Sequence, residues 1–370
     1  MHAVRLHSFG PAGNLTYETA PDPQPSPGQV RIAVAAAGVH LLDATLRAGR
    51  ALGPLPLPEL PTIPGREVAG TVEALGEGAD GSWLGRRVAV HLGPVPGGYA
   101  ELAVADAAAL QPLPDHLSFP AAVAMIGTGR TVMGVLRRAH IEPGDVVLVL
   151  SAAGGMGALL TQYAKHRGAR VIGAAGGPAK VATAEGLGAD LAVDYTRPDW
   201  ADRVRAAYGE RPVRHLFDGP GGRLARTALG LLARGSTHYA YGGSSSLLTD
   251  DEPARDKPSR DERAWEKPSR DERAAHDERA AEDERAAEDE RAAEEELPTE
   301  AELAALGITR RPLDAPFMQA HKRELEDESL GLAAKGVLTP LIHTFPLAET
   351  AQAHHALETR ATSGKVTLVP

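Results

Sequence analysis

At roughly 150 residues per domain, 370 residues make room for two domains, and 43% apolar residues are enough to give each a core. With no cysteine, disulfides, thiolate nucleophiles, iron–sulfur clusters and thiolate zinc sites are excluded. The formal charge of −10 is local, because residues 250–296 hold 20 acids and 10 bases and leave 29 of each elsewhere, so the body gives no reason to expect a nucleic acid or an anionic membrane as partner. No apolar run approaches the ~18–20 residues of a membrane span and Met1 to Gly10 lacks a signal-peptide core, so a soluble, cytoplasmic protein is expected.

Before Pro120, short segments such as Val30–Val34, Val68–Leu75 and Arg87–His91 are punctuated by Gly and Pro, as in an irregular β domain. From Pro143 strand and helix alternate, the signature of a doubly wound parallel sheet and an α/β fold. Asp145–Leu150 reads as a buried strand, Met156–Arg167 as a helix, and Arg170–Gly173 as a second strand. Helix 179–187, strand 191–195, helix 201–208 and strand 213–218 follow, then helix 224–233 and strand 237–241. A sixth strand is expected over Gly307–Pro312, after a Thr299/Glu302 capping box. The last thirty residues return to β character and are expected to fold back onto the N-terminal part.

Residues 250–297 form a charged insert between the fifth and sixth strands. KPSRDERAWE at 257–266 is followed by KPSRDERAAH at 267–276, and Asp271, Asp277, Asp283 and Asp289 each open a six-residue unit. The composition predicts a helix after Pro268, but six residues at about 100° advance each alanine pair by about 240°, so no apolar stripe forms. A solvated helical arm is the expectation, with a surface for an unknown partner as the alternative.

Ser151-Ala-Ala-Gly154-Gly155-Met156-Gly157 lies between the first strand and first helix of the alternating region. Glycine there admits a pyrophosphate close to the backbone, and the helix N-terminus offers free amides, so a dinucleotide site is expected. An NAD site places an acid at the end of the second strand, whereas this chain has Gly173-Ala-Ala-Gly176-Gly177 followed by Lys180. A lysine neutralises a 2′-phosphate, which favours NADPH. Read alone, Lys180 could equally be a solvated helix residue.

Ile63-Pro-Gly65-Arg66-Glu67-Val-Ala-Gly70, Gly98-Tyr-Ala-Glu101, Gly129-Arg130-Thr131, the glycine loop and Arg360-Ala-Thr-Ser-Gly364 together resemble the zinc-independent quinone oxidoreductase (zeta-crystallin-like) branch of the medium-chain dehydrogenase/reductase superfamily. The resemblance implies a GroES-like catalytic domain over 1–122 completed by 339–370, a Rossmann NADPH-binding domain over 123–338, and a homodimer paired along the sixth strand. It implies hydride transfer from NADPH to a quinone or similar conjugated carbonyl, and no zinc, since Arg66 stands where zinc-dependent relatives have histidine. An enoyl-thioester or enone reductase is the alternative enzyme, and an NADPH-binding interaction protein with little turnover is the alternative outside enzymes. Matched by position, Lys180 meets the 2′-phosphate, Tyr195 lies near the adenosine end, Arg360 reaches the cofactor, and Gly219 and Gly242 face it from the loops after the fourth and fifth strands. His40 and Asp43 are the catalytic candidates, His40 because imidazole can relay a proton near neutral pH, with Thr45 and Thr131 as further cleft residues. Packing is the alternative for His40, and a structural role the alternative for Thr131.

Overall fold

A computed structural model describes residues 1–51, 56–93, 96–243 and 297–370. Its architecture is set by two sheets. The first is wholly parallel and six-stranded, in spatial order Leu191–Asp194, Arg170–Ala175, Val146–Leu150, Val213–Asp218, Leu232–Ala240 and Thr309–Pro312. Numbered along the chain this is order 3-2-1-4-5-6, whose reversal beside the first strand opens a crevice at the strands' C-terminal ends. The apolar run 146–150 forms a central strand because both of its faces are covered. Val147 and Val149 pack with Leu159 and Leu160 of helix Gly155–His166, while Leu148 and Leu150 pack with Trp200, Val204 and Leu229 on the other side.

The second sheet is mixed: Ile342–Pro346, Lys365–Val369, Gln29–Val39, Glu67–Leu75, Arg87–His91 and Gln111–Pro112 lie side by side, and Leu102–Asp106 also pairs with Gln29–Val39. Val366 of the last strand sits opposite Val39, so the C-terminal segment folds back as expected. A hairpin of His2–Leu6 and Leu15–Thr19 stands apart. Phe119–Leu136, a helical stretch interrupted by a π turn at Met125–Gly129, joins the two sheets. It is the one described helix long and apolar enough to cross a membrane by composition, but it is 72% buried as a core helix.

Several boundaries differ from the sequence reading, the fifth parallel strand most, expected over 237–241 and running Leu232–Ala240. The helix expected over 224–233 spans Gly222–Leu229, because Gly230 closes it and Leu232 already pairs with Val213 in the next strand. The last parallel strand starts at Thr309, since Gly307, at φ 70°, turns the chain out of the short helix Glu300–Ala305. The capping box is present, with the Thr299 N–H donating to Glu302 Oε2 at 2.7 Å and the Glu302 N–H to Thr299 Oγ1 at 3.3 Å. The expected helical arm falls in 244–296, outside the described residues.

Candidate cofactor and active site

The glycine loop closes by backbone geometry. Ser151 adopts a left-handed φ of 54°, rare for a residue with a side chain, and its carbonyl accepts from the Gly154 N–H at 2.8 Å. A Cβ at Gly157 would collide with that carbonyl, so only glycine allows the helix to start so close to the strand. Across the loop, the Gly364 N–H donates to the Ala153 carbonyl at 2.8 Å, and a Cβ at Gly364 would collide with the Leu341 carbonyl. The end of one sheet is thereby tied to the loop of the other.

Beside this junction is a hollow of about 190 Å³ bordered by Ser151, Gly154, Gly155, Gly176, Lys180 and Tyr195, with Arg360 on its rim. Lys180 Nζ donates to the Arg360 carbonyl at 2.5 Å, and burial followed by the neighbouring guanidinium holds the ammonium below the usual lysine range. Arg360 itself is left-handed, at φ 56°. The ring of Tyr195 lies against Gly176, where a Cβ would sit 3.0 Å from the hydroxyl oxygen. Asp194, the carboxylate nearest this corner in sequence, is spent locally: its Oδ1 accepts from the Gly177 N–H at 2.9 Å and the Thr196 hydroxyl at 2.7 Å. Beyond Tyr195 and Arg360 a wider hollow carries Arg197 and Arg223, so this end is basic.

Four residues expected at the cofactor stand back from the hollow. Gly157 acts through the loop closure, and Met156 packs against the core. Gly219 and Gly242 pack on each other, with a Cβ at Gly242 lying 2.6 Å from the Gly219 carbonyl oxygen and one at Gly219 lying 2.8 Å from the Tyr241 ring. Their absent side chains let the ends of the fourth and fifth strands close together.

At the opposite side of the junction, His40 precedes helix Leu41–Arg47. Its side chain is 30% exposed, and its Nε2 lies 2.6 Å from Glu67 Oε2 and 2.7 Å from Lys365 Nζ. Lys365 Nζ is also 3.1 Å from the same carboxylate oxygen, and both Glu67 and Lys365 are buried. Burial alone would raise the Glu67 pKa, but the flanking His40 and Lys365 hold the carboxyl well below the usual carboxylate range. Burial lowers Lys365 against the pull of Glu67. The π turn makes room for this group, since a Cβ at Gly127 would collide with Glu67 Oε1.

Asp43 is a positioning residue: its buried Oδ2 accepts from the His40 N–H at 2.8 Å and from the Tyr99 hydroxyl at 3.1 Å, which fixes the start of the helix. Thr45 and Thr131 spend their hydroxyls on carbonyls four residues back, Leu41 and Gly127, each at 3.0 Å. Thr45 is 2% exposed, which takes it out of the cleft. Sequence reasoning passed over Glu67 and Lys365, although a charge heading an otherwise apolar strand, as in EVAG and KVTLV, is an available sign of a buried polar role.

Residues 26–115 match the alcohol dehydrogenase GroES-like domain, and residues 155–257 match the zinc-binding dehydrogenase domain. A 2-haloacrylate reductase of Burkholderia is 34% identical over 248 residues, covering 66% of this chain and 74% of that protein. A quinone oxidoreductase of Pseudomonas aeruginosa is 27% identical over 370 residues, 99% of each chain. The chain belongs to the quinone oxidoreductase branch of the medium-chain dehydrogenase/reductase superfamily. A mycobacterial protein of the same fold, solved in complex with NADPH, superposes with a TM-score of 0.76 at 28% identity over the whole of both chains. As a member of this branch, the protein is an oxidoreductase.

Proposed function

We propose that the protein transfers hydride from NADPH to a quinone or similar conjugated carbonyl without zinc, and that His40 supplies the accompanying proton. The observation that carries the cofactor choice is the corner made by Gly176, Lys180 and Arg360. It offers two cations, and no carboxylate is among the residues that line the hollow; Asp194, beside Tyr195, stays ionised but directs its Oδ1 to Gly177 and Thr196. A ribose 2′-phosphate is attracted by the two cations. The close approach permitted by Gly157, with the amides opening helix Gly155–His166, suits the pyrophosphate. NADPH, when bound, supplies the hydride.

Zinc fits this chain poorly. There is no cysteine, Arg66 replaces a histidine ligand, and among the described residues no group of three His, Asp or Glu side chains is placed to hold a metal. His40 and Glu67 do converge, but they are 2.6 Å apart and the Lys365 ammonium sits against both, at 2.7 and 3.1 Å, a cation where a metal would have to bind. Activation of the acceptor is therefore assigned to proton donation and positioning. The acceptor would lie against a hollow of about 340 Å³ lined by Leu46, Pro56, Pro64, Asp43 and Arg66, largely apolar as a ring requires.

The relative named for 2-haloacrylate favours a second reading, reduction of an activated carbon–carbon double bond, in which the proton is delivered to carbon instead of oxygen. Loss of NADPH absorbance with a simple quinone, an enone, an enoyl-thioester and a 2-haloacrylate, with NADH in parallel, tests both readings. The quinone reading expects the fastest turnover with the quinone and NADPH. Turnover confined to the haloacrylate would replace it, and binding of NADPH without any turnover would leave a cofactor-binding protein. The reading includes the division into a catalytic unit, 1–122 with 339–370, and a cofactor unit, 123–338. It also includes a cytoplasmic location and a homodimer joined along the edge strand Thr309–Pro312.

A further inference from the structure

We propose that Lys365 is the proton reservoir of the active site, refilling His40 across their 2.7 Å contact while Glu67 holds the transferred charge in place. The inference rests on the reading of His40 as the proton donor. It starts from the unusual composition of the cluster, in which two proton carriers share one buried carboxylate oxygen, at 2.6 Å from His40 and 3.1 Å from Lys365. A buried lysine without function is costly, and a structural counter-charge to Glu67 is served as well by His40 alone.

The surrounding groups leave Lys365 as the supplier. Asp43, facing it from the first helix, is occupied by the His40 N–H and the Tyr99 hydroxyl. Tyr99 is buried and held well above the usual tyrosine range, so it keeps its proton. His91, behind Glu67, is lowered by burial to about 3 and accepts from the Gly93 N–H at 3.1 Å, so it is neutral and has no proton to spare at neutral pH. Arg130 and Lys322 act on His91 from the far side, and Arg130 cannot release a proton in water. Glu67 stays ionised. Lys365, whose ammonium is weakened by burial, is the remaining carrier in contact with His40.

The step balances. Once the acceptor has taken a hydride, its oxygen carries the displaced electron pair. As a ring N–H of His40 breaks and its proton bonds to that oxygen, an N–H of the Lys365 ammonium breaks in the same step and its proton passes to His40 Nε2, so the imidazole stays neutral and Lys365 is left as an amine beside Glu67. After product leaves, water entering at the exposed face of His40 restores the proton through the imidazole.

The experiment compares wild type with Lys365→Met and Lys365→Arg. Arginine keeps the charge but cannot give up a proton, so a merely structural lysine is rescued by it and a reservoir is not. The expected result is that kcat with NADPH and quinone falls by about tenfold or more in both variants at alkaline pH, with the alkaline limb displaced to lower pH. NADPH affinity by fluorescence is expected to change by less than about twofold, since Lys365 lies outside the hollow. In protein without cofactor, the NMR signals of the His40 ring nitrogens are expected to move in Lys365→Met. Recovery of the wild-type pH profile by Lys365→Arg, or ring signals that do not move in Lys365→Met, would overturn the reservoir. A His40→Gln variant with wild-type kcat overturns instead the donor reading beneath it, and does so whatever the ring signals report. Should Lys365→Met alone not fold, the Glu67→Gln/Lys365→Met pair leaves no lone buried charge and carries the same comparison.

Discussion

The two ends of the cleft are built from different materials. At the glycine loop the work is done by backbone: a left-handed Ser151, a helix start admitted by Gly157, and a tie from Gly364 to Ala153, with ionisable groups only at the rim. At the His40 end three ionisable side chains meet within 3.1 Å, two of them buried, from strands or turns far apart in sequence. The first end has no room for a Cβ at Gly157 or Gly364, and the second depends on how its charges are paired. Steric exclusion and uncompensated charge fail in different ways, and this separates the tests.

The largest effect is expected at the backbone end. Gly157→Val forces a side chain into the Ser151 carbonyl, and Gly364→Val does the same at Leu341. Loss of NADPH binding by about a hundredfold or more, or loss of the fold, is expected for each, read by fluorescence titration beside circular dichroism. Unchanged affinity in a folded Gly157→Val protein would remove the steric account. Next comes Glu67→Ala, which strands the Lys365 ammonium in the core. Urea denaturation should show a loss of about 3–5 kcal/mol, while a loss below about 1 kcal/mol would mean that the charges are not paired as they lie.

Acid lability follows in size when taken per pH unit. Burial lowers His91 and His354 to about 3, whereas an unfolded chain protonates them near pH 6.5. The folded state thus binds fewer protons between those values. Stability is full above the unfolded pKa and declines as pH falls from about 6.5 toward 3, by up to about 1.4 kcal/mol per pH unit for each histidine. Glu67 adds to the loss once pH falls below about 4.3, because its folded pKa is depressed and protonation favours the unfolded chain. Chemical denaturation at a series of pH values checks the sign: stability that rises on acidification would contradict it.

The smaller tests sharpen the contrast at its margins. Lys180→Ala is expected to raise the KM for NADPH about tenfold and leave that for NADH nearly unchanged, the 2′-phosphate being the proposed partner of the ammonium that lines the hollow. Equal effects on both cofactors would take the phosphate role away. Removing residues 250–296 should leave kcat within about twofold, as their sequence repeat carries no apolar stripe to bury.

The glycine-loop end was open to sequence reading because its logic is contiguous. Ser151 to Gly157 follow a buried strand and open a helix, so local pattern alone placed the turn, and Ser151, Gly154, Gly155, Lys180 and Tyr195 border one hollow while Met156 and Gly157 do not. Gly219 and Gly242 were legible as loop glycines but not in direction, because which neighbour fills the space of an absent side chain depends on packing. Thr45 and Thr131 look like cleft hydroxyls in a one-dimensional string, yet the helix claims them for its own carbonyls.

By itself, then, the sequence determined the alternation that winds the parallel sheet, the glycine turn between its first strand and helix, the lack of a thiolate zinc site and the return of the C-terminal strand, since each follows from periodicity or from which residue types are present. Tertiary structure decided the partners of His40. Glu67 is 27 residues away and Lys365 is 325 residues away, and only the pairing of the last strand with Gln29–Val39 brings an ammonium, a carboxylate and an imidazole to one point. Charges so distant along the chain leave no periodic trace, because their energies depend on separation and burial in space.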